Sequence, residues 1–319
     1  MYEARSRLRW YIATLLDRAV APAVNPAHTL VLSGFWRSGT TWLQELLAGW
    51  LRAKTIFEPF HLYVPDTQKL FADYGVAAQS PEFHELWFPY WDAADPQGHA
   101  PLRAYYRRAL RGQVAGRAAR AVRGGVAESF RRRLIVKFTR GAFSLGAAQA
   151  AFGFPLIHIH RDPRAVIASI RLTDWEWVFQ HLSLQAQLLE GRDGRAGYFS
   201  RWEAAIREFD VPDVVTRVAA YWAIAECALA QAQGVSLRYE ETLADPAGTL
   251  APALETLGVP AGRLPDGAGR DSYSTSAGRR GASAQARISG WRETLRREEQ
   301  ARIEAVARAF GLENRLTAD

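Results

Sequence analysis

The chain has 319 residues, 48% apolar and 23% charged, enough to bury a large core in one α/β domain or to divide into two smaller ones. Forty basic residues (Lys and Arg) against 33 acidic ones leave a formal charge of +7 and a pI near 9.7. That balance favours an anionic ligand: nucleic acid, an acidic membrane surface or a polyphosphorylated small molecule. Cys227 is the only cysteine, which excludes an intrachain disulfide and agrees with a reducing compartment.

In chain order, the leading "LRWYIATLLDRAVAPAV" is broken by Asp17 and Arg18, so neither a secretory signal nor a membrane span is expected. Arg5, Arg7 and Arg9 stand beside Leu8, Trp10, Tyr11 and Ile12, a helix expected to pack on the core, with peripheral membrane contact as the alternative. Apolar, β-branched runs then alternate with helical stretches, the pattern of a parallel sheet covered by helices. Strands are expected at Thr29–Ser33, Lys54–Glu58, Leu134–Phe138, Leu156–His160 and Val235–Tyr239. Helices are expected to start after Gly39, Pro163 and Pro246, the prolines suiting a first turn that needs no donor. Longer helical stretches cover roughly 100–128, 176–190 and 212–233, and another follows Arg296. The Gly-rich "GRDGRAG" (Gly191–Gly197) and "PDGAGRDSYSTSAGRRGASA" (Pro265–Ala284) read as surface loops. No repeat and no domain boundary is evident. A single domain over 1–319 is expected, with an N-terminal helix (1–28), an α/β core with helical insertions (29–260) and a C-terminal loop and helix (261–319).

Two strand–loop–helix segments carry chemistry. The first is "GFWRSGTTW", Gly34 to Trp42, with glycines five positions apart. A Walker A loop has the same glycine spacing, cradles phosphates on backbone N–H groups and uses a lysine on the β/γ-phosphates. Here Thr40 and Thr41 stand where that loop has Lys and Ser/Thr, and the cation is Arg37, inside the loop. The second is "LIHIHRDPRAVIAS": Arg161 ends a strand, and Ser169, eight residues on, lies on the following helix. Both side chains can converge on one phosphate with help from the helix dipole. The bland alternative is a turn in which Asp162 caps the helix and the arginines are solvated.

Two anion-binding strand ends suit a nucleotide phosphorylated at two positions. "RSGTTW" resembles the 5′-phosphosulfate loop of the sulfotransferases that use 3′-phosphoadenosine 5′-phosphosulfate (PAPS). "RDPRAVIAS" resembles their 3′-phosphate motif, and "YEETLADP" (Tyr239–Pro246) a later family segment. The resemblance runs from about Thr29 to Trp291. It implies a three-layer, P-loop-like α/β fold with a central parallel sheet and helical insertions. It also implies PAPS as sulfuryl donor, adenosine 3′,5′-bisphosphate as product and no metal. PAPS has no β/γ-phosphate, which explains the missing lysine. The resemblance assigns Arg37, Ser38, Gly39, Thr40 and Thr41 to the 5′ end of the nucleotide, and Arg161 and Ser169 to the 3′-phosphate. Trp42 and Tyr239 would lie along the adenine, although Trp42 also suits a core. "GRRG" (Gly278–Gly281) is similar to a 3′-phosphate clamp, so Arg279 and Arg280 are candidates, but its gap to Trp291 is longer than in the cytosolic members.

For catalysis, a guanidinium at Arg37 suits the bridging oxygen where charge accumulates as the S–O bond breaks. Cytosolic sulfotransferases place a histidine just after the strand that here reads "LIVKF". This chain has Thr139 there. "FEPFH" (Phe57–His61) resembles the Glu-Pro segment of carbohydrate sulfotransferases, and the tyrosylprotein branch also uses a glutamate. Glu58 is therefore the expected base and His61 the reserve. Burial beside Phe57, Pro59 and Phe60 strengthens a carboxylate as proton acceptor. Lys137 closes the third strand, where the family often has a lysine reaching the sulfuryl oxygens. It is one of only three lysines, with Lys54 and Lys69, in an arginine-rich chain.

The expected acceptor is a carbohydrate, glycoconjugate or other small-molecule alcohol, with no nucleic-acid partner. "FHELWFPYW" (Phe83–Trp91) and "DWEWVFQHL" (Asp174–Leu182) offer aromatics for stacking or for the core. The arginine-rich 103–125 stretch fits a solvated helix face, an anionic-glycan contact or a membrane contact. A cytoplasmic location, with or without membrane association, is expected, and the oligomeric state is open. The competing functions are a P-loop kinase, disfavoured by Thr40 and by the lack of a Mg²⁺-binding aspartate, and a basic nucleic-acid- or membrane-binding protein.

Overall fold

The computed structural model describes residues 24–317 except 77–78, 93, 96–98, 115–118, 120–125, 192, 263, 265–270, 273 and 276–279, together with Ile12, Leu15, Leu16 and Ala19. Five strands form one parallel sheet: β1 (Leu30–Ser33), β2 (Lys54–Ile56), β3 (Leu134–Phe138), β4 (Leu156–His160) and β5 (Val235–Arg238), in the order β2-β3-β1-β4-β5. A parallel sheet needs helical crossovers and is covered on both faces, so its strands read as near-continuous apolar runs. Side-chain alternation then divides them between two hydrophobic layers. Leu30 and Leu32 of β1, Ile135 of β3 and Ile157 and Ile159 of β4 share one layer with Leu43 and Leu47 of helix α1 (Thr40–Trp50). Val31, Leu134, Val136, Phe138 and Leu156 point the other way. That second layer is closed by α2 (Leu145–Phe152), α3 (Pro163–Leu172) and α4 (Val214–Leu229). Helix α5 (Pro246–Thr256) completes the first layer, and α6 (Arg297–Ala309) packs on α4. Each fully buried Leu or Ile in these layers contributes about 1.5–3 kcal/mol.

All five strands and the helices after Gly39, Pro163 and Pro246 lie where the sequence places them, with shifted ends. β2 stops at Ile56, two residues early, because its ladder with β3 ends at the Ile56–Val136 pair and the chain turns at Pro59. Tyr239 opens a helix (Tyr239–Ala244) instead of ending β5. The expected 100–128 helix covers only Ala100–Ala109, and Gly112 beyond it takes a left-handed φ of 74°. The 176–190 stretch is two short helices, Glu176–Phe179 and Leu184–Leu188. Ser183 starts the second with its own cap, and Asp210 accepts from the N–H groups of Leu184 and Gln185, so a new helix start wins over continuation.

β1 is the topological switch point. Its neighbours β3 and β4 lie on either side, and the loops after β1 and β4 leave the same edge of the sheet. Crevices of open α/β sheets collect ligands at such a place.

Candidate active site

The loop between β1 and α1 is shaped by its glycines and by one strained arginine. A Cβ on Gly34 would stand 2.3 Å from the Ile159 carbonyl oxygen of β4. A Cβ on Gly39 would stand 2.3 Å from the Tyr239 ring, and Gly39 adopts φ 89°. Arg37 also sits in the left-handed region, at φ 66°, where an L side chain costs about 1–2 kcal/mol. No side-chain cap hydrogen bond closes the first turn of α1, so its leading N–H groups and positive dipole end face the loop. The Ser38 Oγ in that loop is buried without a hydrogen-bond partner.

The β4–α3 loop meets this one directly. Arg37 Nε donates to Ser169 Oγ at 3.0 Å, and both of its terminal nitrogens reach the Ser274 carbonyl at 3.2 Å. Arg161 donates to the Arg37 carbonyl at 2.9 Å and to the Arg287 carbonyl at 2.7 Å, with its guanidinium 4.5 Å from the Tyr239 ring centre. Its Nε is buried and unpartnered. The neighbouring charges are structural. Asp162 caps α3 through the Arg164 N–H, forms a fully buried ion pair with the Arg164 guanidinium at 2.9 Å, and accepts from Thr317. The bland reading of "RDPR" therefore holds for Asp162 as cap, while Arg161 and Arg164 are both buried and partnered.

A third group gathers at the ends of β2 and β3. Lys137 Nζ is buried, donates to Thr41 Oγ1 at 3.2 Å, and lies 3.6 Å from the Phe57 ring centre. Burial lowers its pKa from the ordinary 10.5 to about 8, with Arg140 and Arg37 adding to the fall and Glu58 opposing it. Glu58 is 2% exposed. Its Oε2 accepts the Thr139 N–H at 3.0 Å and the Thr139 hydroxyl, and its Oε1 is buried with no hydrogen-bond partner. The His61 N–H donates to the Glu58 carbonyl, and burial together with Arg140 holds the imidazole below its usual pKa. Three cationic side chains and one carboxylate thus meet at the open edge of β3, β1 and β4, next to an uncapped helix start.

The sequence matches the model of the sulfotransferase family over residues 30–263, the span that contains every one of these groups except Ser274, Arg287 and Thr317. The chain belongs to the sulfotransferase family. Among solved structures, this sulfotransferase is similar to the sulfotransferase domain from the curacin biosynthetic pathway, at 16% identity and TM-score 0.45, covering 91% of this chain and 98% of that one. The sulfotransferase domain of the Synechococcus PCC 7002 olefin synthase follows at 16% identity and TM-score 0.40, covering 90% and 95%. A sulfotransferase from Alicyclobacillus acidocaldarius also resembles it, at 16% identity and TM-score 0.35, covering 88% and 95%. No curated protein matches the sequence.

The sulfotransferase fold brings together Arg37, Ser38, Gly39, Thr41, Lys137, Glu58, Arg161, Ser169 and Tyr239. Thr40 is buried at the start of α1. Trp42 serves the core layer and also meets Tyr239 edge-on, with ring centres 5.9 Å apart. Arg280 is exposed, and Arg279 lies outside the described residues. In "FHELWFPYW", Leu86, Trp87, Phe88, Tyr90 and Trp91 are core, whereas in "DWEWVFQHL" Trp175 and Trp177 are 41% and 52% exposed. Arg5, Arg7, Arg9 and their neighbours through Tyr11 lie outside the described residues, as does most of 115–125. Among the described residues no helix is long and apolar enough to cross a membrane. Sequence reasoning missed Thr139, Arg140, Ser274 and Arg287. Thr139 carried a usable signal, standing directly after β3 where a histidine was sought. Arg140 pairs with Glu85 at 2.5 Å beside the same edge.

Proposed function

We propose that this sulfotransferase moves a sulfuryl group from PAPS to the hydroxyl of a carbohydrate, glycoconjugate or other small alcohol. The observation that carries the reading is the joining of its two anion loops through Arg37, Arg161 and Ser169. One ligand charged at two positions would engage both loops together. The residues fit such a ligand. The buried Ser38 Oγ and Arg161 Nε lack partners, and unmet donors in a cationic cleft suit phosphate oxygens. Ser38, Thr40, Thr41 and the start of α1 would hold the 5′ end, Arg161 and Ser169 the 3′-phosphate, and Trp42 and Tyr239 the base.

PAPS supplies an activated sulfuryl group with adenosine 3′,5′-bisphosphate as leaving group. Arg37 and Lys137 stabilise negative charge where that bond breaks, as preorganised cations in a dry site do. Arg37 stays protonated and acts electrostatically. The acceptor proton passes to Glu58 Oε1, the buried oxygen with no partner of its own. His61 is the weaker base. Its Nδ1 already accepts the Tyr63 N–H at 3.2 Å, which leaves Nε2 carrying the proton in the neutral ring. The test is an acceptor screen with sulfur-labelled PAPS alongside calorimetry of adenosine 3′,5′-bisphosphate. Glu58→Gln is expected to bind nucleotide normally and transfer no label. Label transfer near the parent rate removes Glu58 from the mechanism, and failure of the parent chain to bind the nucleotide removes PAPS.

A further inference from the structure

The geometry points to Thr139 as a positioning residue that aims Glu58, leaving Oε1 as the oxygen that accepts the proton. The inference rests on Glu58 being the base, and it concerns the residue behind it. The β2–β3 ladder ends at the Ile56–Val136 pair, so the Thr139 N–H, just past the end of β3, has no strand carbonyl opposite it. Glu58, two residues past the end of β2, supplies a carboxylate instead. Both Thr139 donors, the N–H and the hydroxyl, converge on the same oxygen, Oε2.

Two consequences follow. The terminal carboxylate torsion, which is broad when free, is fixed so that Oε1 is the oxygen left to take the proton. Both contacts are made to the carboxylate, so removing the Thr139 hydroxyl is a change that the carboxyl group itself reports. The strand end where cytosolic relatives place a histidine here provides an anchor, and the base has moved to the neighbouring strand. Thr139 is itself buried, at 6% exposure, and acts through Glu58.

The test substitutes Thr139→Val, which keeps the side-chain shape and removes one donor, and Thr139→Ser, which keeps the hydroxyl. Thr139→Ala is the second donor-free variant if the valine chain does not fold by circular dichroism. The readout needs no acceptor: the protonated-carboxyl infrared band that Glu58→Gln removes is followed against pH. In Thr139→Val it is expected to appear about one to two pH units higher than in the parent chain, the worth of one charge-assisted hydrogen bond. In Thr139→Ser it is expected at the parent pH. Where turnover is measured, the acidic limb of the rate profile moves by the same amount. An unchanged onset in the donor-free variants, or a serine variant that behaves like valine, overturns the inference. Full label transfer by Glu58→Gln overturns the base assignment instead, so the two failures are distinguishable.

Discussion

If the proposed nucleotide binds beside Lys137, its affinity is expected to depend on pH in a way that separates this lysine from every arginine in the site. Its ammonium is buried between Thr41 and Phe57, and its pKa falls to about 8. A ligand phosphate beside it favours the charged form. Above pH 8 the free chain must therefore take up a proton to bind, and affinity falls about tenfold per pH unit. From about pH 7 to about pH 9 the expected weakening for adenosine 3′,5′-bisphosphate is about tenfold, or about 1.4 kcal/mol. The ligand does not cause this, because its phosphates finish ionising near pH ~6. Isothermal titration calorimetry in two buffers of different ionisation heat measures both the affinity and the proton uptake, which approaches about one per nucleotide at the upper pH. Lys137→Met is expected to bind more weakly at about pH 7 and to lose the slope. The lowered pKa acts on stability with the opposite sense. Between about 8 and 10.5 the unfolded chain binds more protons than the folded one, so this group raises stability as pH increases. Weaker binding at about pH 9 is thus not unfolding. Equal affinity at the two pH values, or the same slope in Lys137→Met, would refute the placement of this ammonium at the phosphate.

The 3′-phosphate assignment is tested by comparing adenosine 3′,5′-bisphosphate with AMP. Arg161→Ala and Ser169→Ala are each expected to lose about tenfold to a hundredfold in calorimetric affinity for the first and distinctly less for AMP, which they affect only through the adjoining first loop. An equal loss for both ligands would place these side chains elsewhere. Gly39→Ala forces a Cβ into the Tyr239 ring at φ 89°, so a lower melting temperature, by about 2–4 kcal/mol in stability, and weaker nucleotide binding are expected together. A variant with the parent melting temperature by differential scanning calorimetry would show that the loop is not held against Tyr239.

The sheet was legible because its signal is local. A strand buried on both faces reads as an unbroken apolar run, and "LIVKF" and "LIHIH" need nothing beyond five residues to declare themselves. The first loop was equally legible, since Gly34 and Gly39 stand where backbone or a ring approaches too closely for any other residue. What escaped depends on partners far away in sequence. Glu58 and Thr139 are 81 residues apart, and Arg37 and Ser274 are 237 apart. No periodicity links residues so distant. The helix ends at 176–190 failed for the same reason, because the carboxylate that receives the new helix start is Asp210, on another element.

That contrast explains how the charged groups of the proposed site are distributed. Arg37, Lys137, Glu58 and Arg161 all lie within two residues of a strand end or inside the loop that follows one, and each loop contributes too few polar groups to satisfy itself. Arg37 reaches from the first loop to Ser169 on α3, and Arg161 reaches back to the carbonyl of Arg37. Either arm alone would cost one guanidinium an acceptor, the buried Arg161 more than the half-buried Arg37. The sheet order makes this exchange available, because β1 and β4 are neighbours although the whole of β2 and β3 lies between them in sequence. Loss of one arm should therefore disturb the other. Ser169→Ala is expected to loosen the first loop as well as the second, measured as faster amide hydrogen exchange at Ser38 and Gly39. Unchanged exchange there would mean the two loops are adjacent but independent.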